Sequence, residues 1–189
     1  MEANELKTVG ADARKRMEGA VEHVRRELAG VRTGRASISL LDSIQVEAYG
    51  TQMPLNQVAT LSIPEPTLIV AQPFDQSLSS AIERAIQKSP LGLNPSSDGK
   101  VIRIPVPPLT EERRKELSRL VHRYAEEGRN AVRQVRRDAN DRVKKLVKEQ
   151  GISEDEERRA LDEIQKLTDQ FIGQIDEMQK KKDAELLGR

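Results

Sequence analysis

Apolar residues repeat with helical spacing along the first thirty residues of the chain. They recur in steps of three and four, at Leu6, Val9, Ala13, Met17, Ala20, Val24, Leu28 and Val31. An α-helix turns once in about 3.6 residues, so this spacing places them on one face. The pattern predicts an amphipathic helix over residues 5–31, followed by an exit at Gly34, which tolerates backbone conformations that other residues avoid.

Two further helices are predicted in the second half of the chain. Residues 110–150 contain no proline, and their apolar residues again recur in steps of three and four. Thr110 is placed to cap the start of this helix. Gly151 can adopt the left-handed conformation that ends such a helix. Ser153 then begins a third helix, and Glu156 follows at the spacing of a capping box. That helix is expected to run to about Leu186.

Between these helices the repeat shortens to about two residues, which is typical of strands. Strands are predicted at residues 44–48, 58–63, 68–71 and 101–106, with a short helix after Ser77 and a loop over residues 91–99. Most of the prolines lie in this part of the chain, and they limit which strands can be central in a sheet. The region therefore predicts a separate small β/α/β domain.

None of the three helices could bury its apolar face alone, so we predict that they form one three-helix bundle. The short connection at Gly151 makes the last two antiparallel. The fold class is α+β, with a discontinuous antiparallel bundle (residues 1–33 and 108–189) and an inserted domain (residues 34–107). Two segments join the domains, near residues 32–35 and 105–108, and together they suggest a hinge. The hinge residues are Arg32, Thr33, Gly34, Arg35, Val106, Pro107 and Pro108.

Composition excludes several classes of function. The chain has no cysteine, so disulfides and thiol chemistry are absent, and its two histidines lie in charged helical segments without metal-type spacing. Phosphate-binding glycine loops and nucleophile motifs are also missing. No segment is apolar enough for a membrane span, and the amino terminus lacks the pattern of a secretory signal. We therefore expect a soluble cytoplasmic protein that is not an enzyme and needs no metal or cofactor.

One row of side chains on the second long helix could bind nucleic acid. Arg129, Arg133, Arg136 and Asn140 fall at intervals of four, three and four residues, so they lie along one narrow strip, which we call the arginine arc. Residues 129–145 contain seven bases and two acids, although the net charge of the whole chain is only +1. Arginine matches phosphate geometry. A plain solvated helix face explains the row equally well at this point.

Four motifs together resemble the bacterial and organellar ribosome recycling factor family. They are RTGRAS at residues 32–37, LGLNP at 91–95, PPLTEERRK at 107–115 and VRRDAND at 135–141. The resemblance covers essentially the whole chain. It implies a three-helix bundle hinged to a small domain in an L shape, similar in outline to transfer RNA. It also implies a function without catalysis, in which the protein binds the post-termination ribosome and, with elongation factor G and GTP, promotes its dissociation into subunits.

The resemblance also assigns roles to individual residues. Arg136 matches the arginine most associated with activity in the family, and Arg133 and Arg129 match its neighbours on the helix that faces large-subunit ribosomal RNA (rRNA). Arg32 matches an arginine close to the hinge, and the hinge itself matches at Gly34, Arg35 and Pro107. The resemblance thus favours a monomer whose partners are the ribosome and elongation factor G. The alternative is a helical protein-protein adaptor whose charged bundle is solvated.

Overall fold

The computed structural model describes residues 2–188, and the chain divides into two compact units. One unit combines the residues up to Thr33 with those from Glu111 onward, and the other runs from Gly34 to Thr110. The first unit is built of helices and the second contains sheets and short helices, which confirms the predicted α+β class. The smaller unit extends slightly beyond the predicted residue 107, because Leu109 lies against Gly34 within it.

The long helices and most of the strands follow one another in the order that the sequence pattern indicates. The helices are α1 (Glu2–Ala29), α2 (Leu55–Val58), α3 (Ser79–Lys88), α4 (Glu111–Gln150) and α5 (Glu154–Leu186). The strands are β1 (Gln45–Ala48), β2 (Thr51–Pro54), β3 (Ala59–Glu65), β4 (Leu68–Pro73), β5 (Ser96–Ser97) and β6 (Ile102–Pro105). Short 3-10 turns lie at Ile38–Leu41 and Gln76–Leu78.

The three long helices pack around one apolar core. Two contacts fix the relative direction of α1 and α4, because Gln150 donates to Glu5 and Arg142 donates to Asp12. The start of α1 therefore lies beside the end of α4, and these helices are antiparallel. The buried core consists of Val9, Ala13, Met17, Val21, Val24 and Leu28 from α1, Leu117, Val121, Ala125, Val132, Val135, Ala139 and Val143 from α4, and Ile164, Phe171, Ile175 and Leu186 from α5.

Gly128 sets the distance between α1 and α4 at the middle of the bundle. A Cβ atom added there would overlap the Cγ2 atom of Val24, and it would also stand 3.3 Å from Cδ1 of Ile175 on α5. Glycine is less stable than alanine inside a helix, so its presence here is explained by the close packing of the helices. The apolar repeat of α4 is thereby continued by a residue with no side chain.

The turn between α4 and α5 uses the residues that the sequence pattern selects. Gly151 has a backbone φ of +66° and donates its N–H to the carbonyl of Val147, which ends α4. The Ser153 hydroxyl accepts a hydrogen bond of 3.2 Å from the Glu156 N–H at the start of α5. The predicted cap at Ser153 is therefore confirmed, and the tight turn directs α5 back along α4.

The smaller unit contains two antiparallel sheets. Strands β1 and β2 form a hairpin, and the other four strands pair in the order β3-β4-β6-β5. Helix α3 packs on β1, with Ile82 and Ile86 fully buried. Alternate residues of β1 and β6 point into the same core, so the period of two that predicted these strands reflects burial on one face.

Three parts of the smaller unit differ from the prediction. Strand β2 is an addition, because Thr51–Pro54 contains two polar residues and a proline and shows no apolar alternation. Val58, predicted to begin a strand, instead ends the single helical turn α2. The predicted loop over residues 91–99 includes β5, whose two serines pair with Arg103 and Ile102 on β6. Backbone pairing alone holds this strand, so no apolar pattern indicates it.

The incoming and outgoing segments of the smaller unit are held at one place. The Ala36 N–H donates to the carbonyl of Pro66 at 2.7 Å, and the Val106 N–H donates to the carbonyl of Thr67 at 2.8 Å. Both acceptors belong to the turn between β3 and β4. The chain therefore enters and leaves this unit side by side, at adjacent residues of one turn.

Candidate nucleic-acid interface

The arginine arc lies along the edge of α4 that faces α5, but its members are not equivalent. Arg129 is buried, with only 8% of its surface exposed. Its Nε donates to Glu126 at 2.8 Å, and its Nη1 donates to Asp176 at 2.8 Å and to Gln179 at 3.0 Å. The sequence predicts that Arg129 binds RNA with the other members of the arc, whereas the structure places it as a buried side chain rather than a projecting one. Its Nε and Nη1 donors are occupied by α4 and α5, an arrangement that we call the Arg129 clamp.

Glu126 links the Arg129 clamp to the next arginine of the arc. Its second oxygen accepts a hydrogen bond of 3.4 Å from Arg133, which also donates to Asn130 at 3.0 Å. The pKa of Glu126 is lowered, chiefly by the hydrogen bond from Arg129 and further by the charges of Arg129 and Arg133. Glu126 therefore stays ionised at neutral pH and holds the half-exposed Arg133 in a defined orientation.

Arg136 is the arginine of the arc whose charge is uncompensated. It is half-buried, and within residues 2–188 it makes no ion pair or side-chain hydrogen bond. The neighbouring Arg137 donates to Gln134 on another side of the helix. An arginine that stays unpaired in a helix rich in acids keeps its full set of donors for a ligand.

Two residues extend the line beyond Arg136. The Oδ1 atom of Asn140 is buried and has no hydrogen-bond donor among the described residues. Lys144 follows at the next helical turn, is exposed, and has no ion partner in the described part of the chain. The sequence shows the position of Lys144, but only the structure separates it from the paired bases nearby. We call Arg133, Arg136, Asn140 and Lys144 the Arg136 surface.

Two other charged residues of this segment form ion pairs with α1. Asp138 accepts from Arg16 at 3.0 Å, and Arg142 donates to Asp12 at 3.1 Å. The pKa of Asp138 is lowered, first by the hydrogen bond from Arg16 and then by that from Gln134. Because these pairs join α1 to α4, the local excess of positive charge remains on the opposite edge, at the Arg136 surface.

The predicted hinge residues of the incoming segment lie at the boundary between the two units, whereas Val106, Pro107 and Pro108 lie within the smaller unit, shortly before it ends at Thr110. The boundary separates Thr33 from Gly34, and Gly34 has a φ of +76°. Arg32 is exposed at the end of the first segment of the bundle, beyond α1. Since α1 and α4 are antiparallel, this places Arg32 beside the first half of α4, away from Arg136. In the outgoing segment Val106 is buried, whereas Pro107 and Pro108 are exposed.

Other kinds of site are not indicated by the described residues. Between residues 2 and 188, histidine and acidic side chains nowhere gather in a group of three that could hold a metal ion. Across the same part of the chain, every helix is too short or too polar to span a lipid bilayer. His23 is exposed and pairs with Glu27, and His122 contacts Gln179.

Comparison with known proteins gives one consistent result. A family model described as ribosome recycling factor matches residues 24–187. The ribosome-recycling factor of Symbiobacterium thermophilum is 52% identical over 181 residues, covering 96% of this chain and 98% of its own. The ribosome-recycling factor of Rubrobacter xylanophilus is 56% identical over 177 residues, which cover 94% of this chain and 95% of its own.

Solved structures agree with the sequence relatives. A solution structure of the ribosome recycling factor aligns with a TM-score of 0.73 and 47% identity over 98% of both chains. The T. thermophilus ribosome recycling factor also aligns, with a TM-score of 0.63 and 52% identity. It comes from models for that factor and E. coli elongation factor G bound to the E. coli post-termination complex. That alignment covers 97% of this chain and 99% of the other. This protein belongs to the ribosome recycling factor family.

Proposed function

We propose that this protein recycles ribosomes after termination. It binds the post-termination ribosome and, with elongation factor G and the GTP hydrolysed by that partner, promotes separation into subunits. A similar recycling factor is described in models for that factor and elongation factor G bound to the post-termination complex, which supports both partners. The family consists of translation factors without catalytic activity, so the protein contributes binding and movement while elongation factor G supplies the chemistry. Its place of action is the cytoplasm, where it works as a monomer.

The Arg136 surface is the proposed contact with large-subunit rRNA. The observation that supports it most directly is that Arg136 has no hydrogen-bond or ion-pair partner among the described residues, whereas Arg129 and Arg137 each donate to a neighbouring side chain. An unpaired guanidinium can bind a phosphate through two hydrogen bonds, and its binding displaces counterions from the RNA. Arg133 and Lys144 add positive charge to the same edge, and Asn140 adds an amide group that can hydrogen-bond with the RNA. Arg32 provides a separate contact near the hinge.

Arg129 has an indirect part in this contact. Its side chain is buried, and its Nε and Nη1 donors are occupied by Glu126, Asp176 and Gln179, which makes it a poor direct ligand for a phosphate. It fixes Glu126 instead, and Glu126 accepts from Arg133. We therefore assign Arg129 as a positioning residue for Arg133.

The smaller unit is proposed to move relative to the bundle about residues 32–35 and 105–108. Gly34 provides backbone freedom in the incoming segment, and Pro107 and Pro108 stiffen the outgoing one. The two hydrogen bonds to Pro66 and Thr67 hold both segments at one turn, so the smaller unit can pivot as a single body. Force from elongation factor G on this unit would then reach the bundle through two adjacent connections.

Subunit splitting by purified ribosomes, elongation factor G and GTP tests this function. Arg136→Gln should abolish splitting and weaken binding to isolated large subunits, while Arg137→Gln should leave both intact. The two variants lose the same charge from adjacent residues, so the comparison separates a specific contact from general electrostatics. Equal behaviour of the two variants would contradict the assignment. Failure of the unaltered protein to sediment with large subunits would favour the protein-protein adaptor.

A further inference from the structure

A long stretch of the smaller unit, from residue 36 to residue 83, lacks basic residues. Residues 36–83 contain no lysine or arginine, although the whole chain contains 32 bases. At that average a stretch of this length would contain about eight. The same residues include five acids: Asp42, Glu47, Glu65, Asp75 and Glu83. A surface of this composition repels phosphate, so it is unsuited to the RNA backbone that the Arg136 surface is proposed to bind.

Two aromatic rings are exposed within this acidic region. Tyr49 is 71% exposed and Phe74 is 67% exposed, and the whole chain has only two tyrosines and two phenylalanines. The Tyr49 hydroxyl donates to Asp75 at 2.9 Å, and Asp75 directly follows Phe74. The Tyr49 ring is therefore tied to the residue that directly follows Phe74 in the chain. Burying large side chains is favourable, so exposed rings of this kind are typical of binding surfaces.

The backbone holds Tyr49 in a conformation that its residue type disfavours. Tyr49 and Gly50 form the two-residue turn between β1 and β2, with φ values of +53° and +78°. Among residues 2–188, one residue other than glycine has a positive φ, and that residue is Tyr49. Asparagine, aspartate or glycine suits that position in a hairpin turn, whereas tyrosine is strained there. Tyrosine at this position therefore points to a role for the ring outside the fold of the hairpin.

The ring is also fixed before any partner arrives. Asp75, which accepts from Tyr49, is itself held by the Ser77 hydroxyl at 2.7 Å and by the Ser77 N–H at 3.0 Å. These bonds lower the pKa of Asp75, and the hydrogen bond from the Ser77 hydroxyl has the largest effect. The carboxylate therefore remains charged. A rigid aromatic side chain loses little conformational freedom on binding, which favours tyrosine as an anchor in protein interfaces.

We propose that Glu47, Tyr49, Phe74 and Asp75 form a docking face for a basic protein surface, and we call it the Tyr49 face. Glu47 is exposed on β1, and Tyr49 follows two residues later, exposed in the hairpin turn. A lysine or arginine of the partner would pair with the two carboxylates and lie over the tyrosine ring. Apolar side chains of the partner would cover Phe74.

Photo-crosslinking in assembled post-termination complexes with elongation factor G tests which class of molecule contacts the Tyr49 face. A benzophenone amino acid replaces Tyr49 or Phe74 in the full chain, and the product is digested separately with nuclease and protease. We expect both positions to crosslink to a basic protein, identified by mass spectrometry. Crosslinks to RNA or to an acidic protein, or no crosslink from either position, would overturn the proposal.

Substitutions test whether the contact matters for function. Tyr49→Asn relieves the turn and Phe74→Ala removes an exposed ring, so neither should lower thermal stability. Each should raise the protein concentration needed for half-maximal splitting by at least about fivefold, which corresponds to one lost anchor at an interface. Binding to isolated large-subunit rRNA should not change, because that contact belongs to the Arg136 surface.

Ile63→Ala, which removes another exposed apolar side chain, is the matched control and should behave as the unaltered protein. Normal splitting by both Tyr49→Asn and Phe74→Ala would refute the docking face without affecting the proposed function.

Discussion

Replacing Arg129 by methionine should destabilise the bundle. The side chain is 10% exposed and makes three hydrogen bonds, each of which would contribute about 1.5 to 3 kcal/mol if its partners were equally buried. The acceptors are more hydrated, since Asp176 is 58% exposed and Glu126 is 43% exposed, which reduces each contribution to about 1 kcal/mol or less. Methionine retains most of the aliphatic part of the arginine side chain. We therefore expect a loss of about 2 kcal/mol in the free energy of unfolding, measured by urea denaturation followed by circular dichroism.

The same substitution should affect RNA binding through Arg133. Arg129→Lys keeps the charge but cannot reach three acceptors at once, so it should also release Glu126 and weaken binding to large subunits. Arg133→Met should weaken binding to a similar extent. The double variant Arg129→Met/Arg133→Met should bind no more weakly than Arg133→Met alone, because both changes remove one contact.

Two results would refute this reasoning. If Arg129→Met leaves stability unchanged and its effect on binding adds to that of Arg133→Met, then Arg129 touches RNA directly and the Arg129 clamp is not its native role. If Arg129→Lys binds like the unaltered protein, the charge of Arg129 matters and the orientation of Arg133 does not. The dependence of affinity on salt distinguishes these cases, since each lost phosphate contact lowers the slope by about 0.7 to 0.9.

Two other predictions concern the stability of the bundle. Gly128→Ala should lower the free energy of unfolding by about 2 kcal/mol, because its methyl group would overlap Val24. Gly19→Ala, at a helical glycine with open space around it, should instead raise that free energy by about 0.5 to 1 kcal/mol, and the opposite signs can be compared in one urea series. The pKa of Glu126 is lower in the folded state than its ordinary value of 4.5, so its contribution is complete above pH 4.5 and declines as the pH falls toward the folded pKa. Thermal unfolding of Glu126→Gln should therefore depend less on pH in that range than that of the unaltered protein, and parallel curves would contradict the assignment.

The long helices could be predicted from the sequence because their signals are local. The apolar repeat of α4, the turn at Gly151 and the cap at Ser153 each depend on residues a few positions apart. Burial of one face follows directly from that spacing. Strands β2 and β5 have no such signal, since they are short, polar and held by backbone pairing.

The unequal roles within the arginine arc could not be predicted completely. Glu126 lies three residues before Arg129, so that pairing is visible in the helical spacing. Asp176 is on α5, 47 residues away, and only the packing of α4 against α5 brings it to Arg129. A regular row of arginines in sequence therefore becomes, in the fold, one buried clamp and one edge that we propose binds RNA.

The salt dependence of binding to isolated large subunits tests the central claim most directly. Affinity is measured over a range of salt concentrations for the unaltered protein, Arg136→Gln and Arg137→Gln. If Arg136 contacts an rRNA phosphate, the slope of log affinity against log salt should fall by about 0.7 to 0.9 for Arg136→Gln and remain unchanged for Arg137→Gln. Identical slopes for all three proteins would contradict the account.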